Sequence, residues 1–308
     1  MVTAPPDDLD AQPLFLLGAP RSGTSLLYKA LCLHSGAAYI SNWVARWPQL
    51  PQLAALNRVA ARLPAWQQRV WFGGGDSAYV YGRARPAWHR AFPMPVEGEP
   101  VYARCGFPPG PAGPPGGAGE DQVARLRSAL ATIRRFAGGR RLVSKRIANN
   151  VRIPVLLTAF PAARFVNLVR DGRAVAWSLS RVDWWPDTVV WWAGTTPREW
   201  EADGREPWSL CARTWVEELA AVEAGLASVP PAHVLSLTYE DFVAHPTETL
   251  DQVAGFAGLG EDRRWPHQLA RLSFPDRNQA WRDGLGPEHV RAVESIQGDA
   301  LRRHGYVA

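Results

Sequence analysis

Short apolar segments alternate with amphipathic stretches along the 308 residues, and a glycine-rich turn joins the first strand-like run to the first helical one. These two observations predict an α/β fold, a doubly wound and mainly parallel sheet that opens on a P-loop-like strand, loop and helix. The first run, Pro13 to Leu17 (PLFLL), is apolar throughout, too short for a helix, and stops at Gly18, as a strand buried on both faces does. After GAPRSGTS, residues Leu26, Leu27, Ala30, Leu31 and Leu33 return at helical spacing, so the turn leads directly into a helix. From Trp47 to about Trp71, the positions Leu53, Leu56, Val59, Ala60 and Leu63 predict an amphipathic helix outside the sheet, broken at Pro64 and followed by a second short one. Further strands are expected at RLVSK (Arg141 to Lys145), ARFVNLV (Ala163 to Val169) and HVLSL (His233 to Leu237). Helices are expected near Asp121 to Phe136, Val151 to Phe160, Arg173 to Val182 and Ser209 to Ser228. Residues Gly106 to Gly119 hold only Pro, Gly, Ala and one Phe, cannot sustain regular hydrogen bonding, and predict a mobile surface loop. No internal repeat is evident, so residues 1–308 are expected to form one domain.

A composition of 46% hydrophobic and 20% charged residues excludes a disordered or fibrous chain. No apolar run approaches the roughly 18 residues of a membrane helix, and the acidic opening MVTAPPDDLDAQ is unlike a secretory signal, so a soluble cytoplasmic protein is expected. Cys32, Cys105 and Cys211 are odd in number and lack C-x-x-C spacing, which predicts buried thiols and no metal site. The net charge of +5 suits an anionic ligand, and of the 34 basic residues only Lys29 and Lys145 are lysines. Because 29 acidic residues are interspersed among them and no basic block occurs, no nucleic-acid partner is indicated.

Gly18-Ala-Pro-Arg-Ser-Gly23-Thr24-Ser25 has the two-glycine spacing of a turn whose backbone N–H groups and following helix N-terminus converge on phosphate oxygens. Position 24 is Thr where a nucleotide triphosphatase needs Lys, which disfavours an ATPase or ordinary kinase. Farther on, FVNLVRDGRAVAWSL places Arg170 at a strand end and Ser178 eight residues later, about two helical turns on. With these motifs the chain resembles the PAPS-dependent sulfotransferases, whose P-R-S-G-T-[ST] loop grips 3′-phosphoadenosine 5′-phosphosulfate (PAPS). The resemblance implies that Arg21, Ser22, Gly23, Thr24 and Ser25 bind the 5′ phosphate, with Arg21 also neutralising the transferring group, and that Arg170 and Ser178 bind the 3′ phosphate. Asp171 reads as an N-cap. The segment VLSLTYEDFVAHPTETLDQVAGFAGL is similar to the family's Y-E-D element, which implies that Tyr239 contacts adenine, while Glu240 and Asp241 read as capping or structural. The Arg-Lys-Gly element of the cytosolic branch is absent. Its absence leaves Arg277 and Arg282 as alternatives for completing the 3′-phosphate site and sets the chain nearer the bacterial and tyrosyl-protein enzymes.

Lys145 ends a strand at the carboxyl edge where open α/β sheets bind ligands, and the resemblance implies that it stabilises the bridging oxygen as sulfate leaves. Lys29, one turn into the first helix, reads as solvent-facing. No family motif falls between about Tyr39 and Gly139, so the helical region of about residues 40–139 is expected to supply much of an acceptor pocket. A general base for an alcohol acceptor is not marked: the stretch AAYISNW, where the tyrosyl-protein branch carries a glutamate, has only Asn42. His89, Asp183 and Asp76, in that order, are the candidates, and His34 reads as a helix-end cation.

Six tryptophans fall between Trp184 and Trp208, a density that suits either an apolar acceptor wall or a packed helical layer and homodimer interface. The expected activity is transfer of a sulfuryl group from PAPS to a hydroxyl of a small-molecule, glycosylated or lipid-like acceptor. The alternatives are a P-loop phosphotransferase using ATP and a catalytically inactive nucleotide-binding protein.

Overall fold

In the computed structural model, which describes residues 12–72, 91–108 and 118–307, Leu14–Leu17 forms β1 at the centre of a sheet. Its side chains alternate between two cores. Leu14 and Leu16 join Leu27, Leu31, Val143, Val166 and Leu168, whereas Phe15 and Leu17 join Leu142, Phe160 and Phe165. A strand with a core on each face has no place for a polar side chain, hence the uninterrupted apolar run.

Around β1 stand β2 (Ala37–Ala38), β3 (Arg141–Lys145), β4 (Arg164–Val169) and β5 (Val234–Thr238), in the order β2-β3-β1-β4-β5 with every pair parallel. The register sets Leu16 beside Lys145, Leu17 beside Asn167, and Val169 beside Thr238, so β1, β3, β4 and β5 finish on one edge. The strand order reverses between β1 and β4, and the crevice outside the carboxyl ends at such a point is open to a ligand.

The helices are α1 (Thr24–Leu31), α2 (Asn42–Arg46), α3 (Leu56–Ala61), α4 (Pro64–Phe72), α5 (Glu99–Arg104), α6 (Glu120–Ala137), α7 (Ile153–Ala159), α8 (Gly172–Leu179), α9 (Pro197–Ala202), α10 (Pro207–Leu226), α11 (Tyr239–Ala244), α12 (Pro246–Ala257), α13 (Trp265–Leu269), α14 (Ala280–Gly284) and α15 (Pro287–Arg303). All four expected strands are present to within a residue at each end; the two-residue β2 was not anticipated.

Before Trp71 the helix is interrupted at Pro64 and a second short one follows, as expected: α3 ends at Ala61 and Pro64 starts α4, because at a first helical position its missing N–H costs nothing. What departs from expectation is the face that is buried. The buried face there is Ala54, Asn57 and Ala60, with Val59 and Leu63 left 52% and 43% exposed. Asn57 turns inward because its Nδ2 donates to Tyr39 O at 2.9 Å. Lys29 is buried, not solvent-facing, and its Nζ donates to Trp71 O at 3.2 Å. His34 is buried too. Its Nδ1 accepts from Gly36 N at 3.0 Å, and burial lowers its pKa against the pull of Asp262, so it is not the helix-end cation expected.

Of Gly106 to Gly119, only the two ends are described: at the first, Gln122 Nε2 donates to Gly106 O (3.1 Å), Arg146 Nη2 to Phe107 O (2.9 Å) and Arg152 Nη2 to Pro108 O (2.8 Å), and at the second, Gly119 N donates to Gln122 Oε1 (3.0 Å). All three cysteines are buried free thiols. Among the described residues no cluster of His, Cys, Asp and Glu could hold a metal ion, and no helix is long and apolar enough to cross a membrane.

Gly18 ends β1 at φ +144°, where a Cβ would lie 2.4 Å from Leu168 O. Since the obstacle is backbone of β4, Gly18→Ala should cost about 2–4 kcal/mol in urea unfolding. An unchanged midpoint would show that the turn can widen.

Candidate active site

The loop from Gly18 to Gly23 is shaped by backbone conformations that few sequences tolerate. Asn150 clamps its start, accepting from Gly18 N (3.2 Å) and donating to Gly18 O (2.9 Å). Gly23 has φ +89°, and a Cβ there would lie 2.5 Å from Tyr239 Cδ2, so the ring is packed on the loop backbone. Arg21, at φ 73°, is the sole non-glycine residue with positive φ among the described residues, a conformation costing about 1–3 kcal/mol. Two contacts hold it: Arg21 O accepts from Arg170 Nη1 (2.9 Å), and Arg21 Nε donates to Ser178 Oγ (2.8 Å).

Arg170 follows β4 and is 6% exposed. It gives one hydrogen bond from each nitrogen, to Arg21 O, Arg277 O (3.0 Å) and Asn278 Oδ1 (3.1 Å), leaving one N–H on each Nη. Its guanidinium lies 4.2 Å from the centroid of Tyr239, which stacks it between ring and loop. Burial lowers its pKa, with Tyr239 and Glu240 opposing. Glu240 supports the assembly from behind, accepting from Asp171 N (3.1 Å), Asn278 Nδ2 (2.7 Å) and Tyr306 Oη (3.0 Å). Asp171 caps α8 through Arg173 N and pairs with the Arg173 guanidinium, which also donates to Tyr306 O (3.2 Å). Asp241 is bound within the α11 cap by Thr238.

At the end of β3, Lys145 Nζ forms an ion pair with Glu97 Oε1, while Glu97 Oε2 accepts from Ile147 N at 3.4 Å. Glu218, on the buried face of α10, accepts from Asn150 Nδ2 at 2.6 Å on Oε2 and from Trp191 Nε1 at 3.0 Å on Oε1. Burial pushes its pKa up to about 7, against the two hydrogen bonds and the charge of Lys145.

These groups line one cavity of about 1260 Å³. Arg21, Gly23, Thr24, Ser25, Lys145, Arg170, Tyr239 and Arg277 face it together with Glu97, Glu99 and Glu218. Ser22 and Ser178 do not line it: Ser22 is fully buried with its Oγ unpartnered, and Ser178 acts on Arg21. Of the two alternatives, Arg277 reaches the cavity, whereas Arg282 lies outside on Trp281. Asp183 is exposed on the turn after α8 and outside the cavity, because that turn buries the neighbouring Trp185 instead. His89 and Asp76 lie outside the described residues, and Asn42 lines the cavity with its amide bonded to Phe92 O and Met94 N.

The six tryptophans divide. Trp184, Trp185 and Trp191 line the cavity beside Val189 and Val190, while Trp192, Trp200 and Trp208 pack the layer around α10. Glu97, Asn150 and Glu218 escaped the sequence reading. A signal for Glu218 existed, since it shares a helical face with Cys211, Thr214, Trp215 and Val222, all buried.

A model described as the Sulfotransferase family matches residues 110–263, half of the chain. No curated protein matches it in sequence. Among solved structures, sulfotransferase STF9 from Mycobacterium avium superposes with a TM-score of 0.60 at 15% identity, over 95% of this chain and 76% of its own. STF1 from Mycobacterium tuberculosis H37Rv gives a TM-score of 0.51 at 18% identity, over 93% of this chain and 75% of its own. At such identities the likeness is one of fold.

Whatever the cavity binds, burial of Glu218 makes stability depend on pH. With a folded pKa of about 7 against an ordinary value of 4.5, the folded state keeps a proton that the unfolded state has lost between those pH values. Stability therefore falls as pH rises through that window. Relative to Glu218→Gln, the wild type should lose about 2–3 kcal/mol between pH 5 and pH 8 in urea unfolding. Parallel pH courses would show that the carboxylate charge is fully compensated.

Proposed function

Since the chain belongs to the sulfotransferase family, a family of sulfuryl transfer, we propose that its cavity takes PAPS and passes the sulfuryl group to a hydroxyl of a bulky, largely apolar acceptor. The observation that carries this reading is the convergence of Arg21, Arg170 and Lys145 on one cavity whose other wall is Trp184, Trp185, Val189 and Trp191. The lining suits a small-molecule, glycosylated or lipid-like alcohol, since indole faces stack on rings and cover acyl chains.

The donor set fits the nucleotide. Arg21, Thr24 and Ser25, with the N-terminus of α1, would hold the 5′ phosphate; Arg170 and Arg277 the 3′ phosphate; and the cavity-facing edge of Tyr239 the adenine. PAPS brings a sulfuryl group already activated on a phosphate. Lys145 and Arg21 provide cations where negative charge grows on the leaving phosphate. Among the described carboxylates of the cavity we assign the proton of the attacking hydroxyl to Glu97, which lies against Lys145 and whose Oε2 has only a long 3.4 Å contact from Ile147 N, whereas Glu99 chelates Arg146 at 2.7 and 2.6 Å and Glu218 holds Asn150 and Trp191. Paired as they are, Lys145 and Glu97 neutralise each other until a ligand draws them apart. Of the candidates foreseen, Asp183 lies outside the cavity and His89 and Asp76 outside the described residues, so Glu97 is our assignment among the residues described.

Calorimetric titration with 3′-phosphoadenosine 5′-phosphate (PAP), beside AMP and ATP with magnesium, tests the reading without knowledge of the acceptor. PAP should bind selectively; preference for magnesium ATP would move the reading to phosphoryl transfer. Arg170→Ala should weaken PAP about 10- to 100-fold while changing AMP little, because it deletes a charge-assisted contact to one group. Equal losses for both nucleotides would remove Arg170 from the 3′ site. With long-chain alcohols, sterols and aryl glycosides as acceptor probes, Glu97→Gln should lower kcat about 100-fold without loss of PAP affinity. Lys145→Ala should likewise act on turnover more than on PAP affinity, and undiminished turnover in either variant would leave that residue a structural role.

A further inference from the structure

We propose that Glu218 is a positioning residue that locks the acceptor wall to the phosphate loop, and that it holds both contacts at full strength only as a carboxylate. Resting on the sulfotransferase reading, the inference assigns a role to a side chain that touches no reacting atom. Each oxygen of Glu218 serves a different substrate surface: Oε2 takes Asn150 Nδ2, whose amide brackets Gly18, and Oε1 takes Trp191 Nε1 on the acceptor wall. Neither partner can reverse its bond. An indole nitrogen only donates, and turning the Asn150 amide to offer Oδ1 to Glu218 would break both of its bonds to Gly18. Protonation turns one of the two oxygens into a hydroxyl, a poorer acceptor than a carboxylate oxygen, so the contact on that oxygen weakens and either the loop or the wall is loosened.

Glu218 has no bonded cation to keep it ionised. The charge acting on it is that of Lys145 on β3, itself paired with Glu97, and Arg21 lies on the same cavity. On the elements packed against α10, Asp171 and Arg173 of α8 pair with each other and with Glu294 of α15, Arg303 and His304 at the end of α15 face Glu223, Asp299 pairs with Arg302, and Glu288, His289 and Arg291 lie in the first turns of α15. On α9, Glu199 is held in its helix cap, Arg198 pairs with Asp187, and α7 carries no charged residue. Arg213 and Glu217 of α10 pair on the surface. The raised pKa of Glu218 puts the change of state near neutrality. An isolated buried carboxylate is costly, and the return here is a rigid join between the two surfaces that must meet for in-line transfer.

PAP affinity, measured by calorimetry from pH 6 to pH 8.5, and slow hydrolysis of PAPS to PAP and sulfate give two readouts on the full chain. The amide introduced by Glu218→Gln keeps one accepting oxygen and puts a donor in place of the other, so it lacks the carboxylate's second acceptor at every pH. The advantage of wild type over Glu218→Gln in PAP affinity should therefore be small at pH 6 and about tenfold at pH 8; the ratio of the two affinities cancels the nucleotide's own titration. Trp191→Phe removes the indole donor and lets a protonated Glu218 still accept from Asn150, so its PAP affinity, taken relative to Glu218→Gln, should stay high at both pH values. This variant keeps the test decisive if Glu218→Gln does not fold: PAP affinity of Trp191→Phe relative to wild type should then rise as pH falls below 7. A constant ratio between wild type and either variant, with hydrolysis following the same course, overturns the coupling while leaving the sulfotransferase reading in place. Failure of wild type to bind PAP at any pH overturns the reading and the coupling with it.

Discussion

Parallel register is the constraint from which the site follows. With Leu16 beside Lys145, Leu17 beside Asn167 and Val169 beside Thr238, the residues that end or follow β3, β1, β4 and β5 are delivered to one edge. Lys145, Gly18, Arg170 and Tyr239 meet because their strands stop together. A slip of one residue in any ladder would send its core side chains to the opposite face, and the two alternating cores of β1 forbid that. The hydrophobic pattern that builds the sheet thus also aligns the polar residues beyond it.

On that edge, the polar groups are bound to one another before any ligand arrives. Arg170 joins the phosphate loop to the segment carrying Arg277 and Asn278, and lies on Tyr239 as it does so. The strained backbone of Arg21 is held by the same guanidinium and by Ser178. Such preorganisation places the ordering cost in folding and not in binding. It also explains the two buried carboxyl groups of different character: Asp171 is neutralised by Arg173, whereas Glu218 has only neutral donors at bonding distance.

What the sequence disclosed was local. The phosphate loop, Arg170, Lys145 and Tyr239 each lie within a few residues of a strand whose apolar run announces it. Glu97 and Glu218 gain meaning from Lys145 and Asn150, 48 and 68 residues away, and no spacing along the chain encodes such a meeting. The tryptophan cluster was visible as a cluster, yet which indoles face the cavity depends on how the segment before α10 folds back. Arg277 and Arg282 were likewise equivalent in the sequence and differ only by the path of the chain into α14. Even simple periodicity misled before Trp71, where a buried Asn57 took the position expected of Val59 or Leu63.

The segment that follows α15 reaches back to this edge. Tyr306 donates to Glu240 through its phenol and accepts from Arg173 through its carbonyl, and both partners stand behind Arg170 and the start of α8. All five strands are synthesised well before Tyr306. A nascent chain can therefore complete its sheet while the support behind the arginine is still missing, and the binding edge waits for a segment made after every strand. Order of manufacture thus permits a sheet that is already paired to stand for a time without a finished anion site.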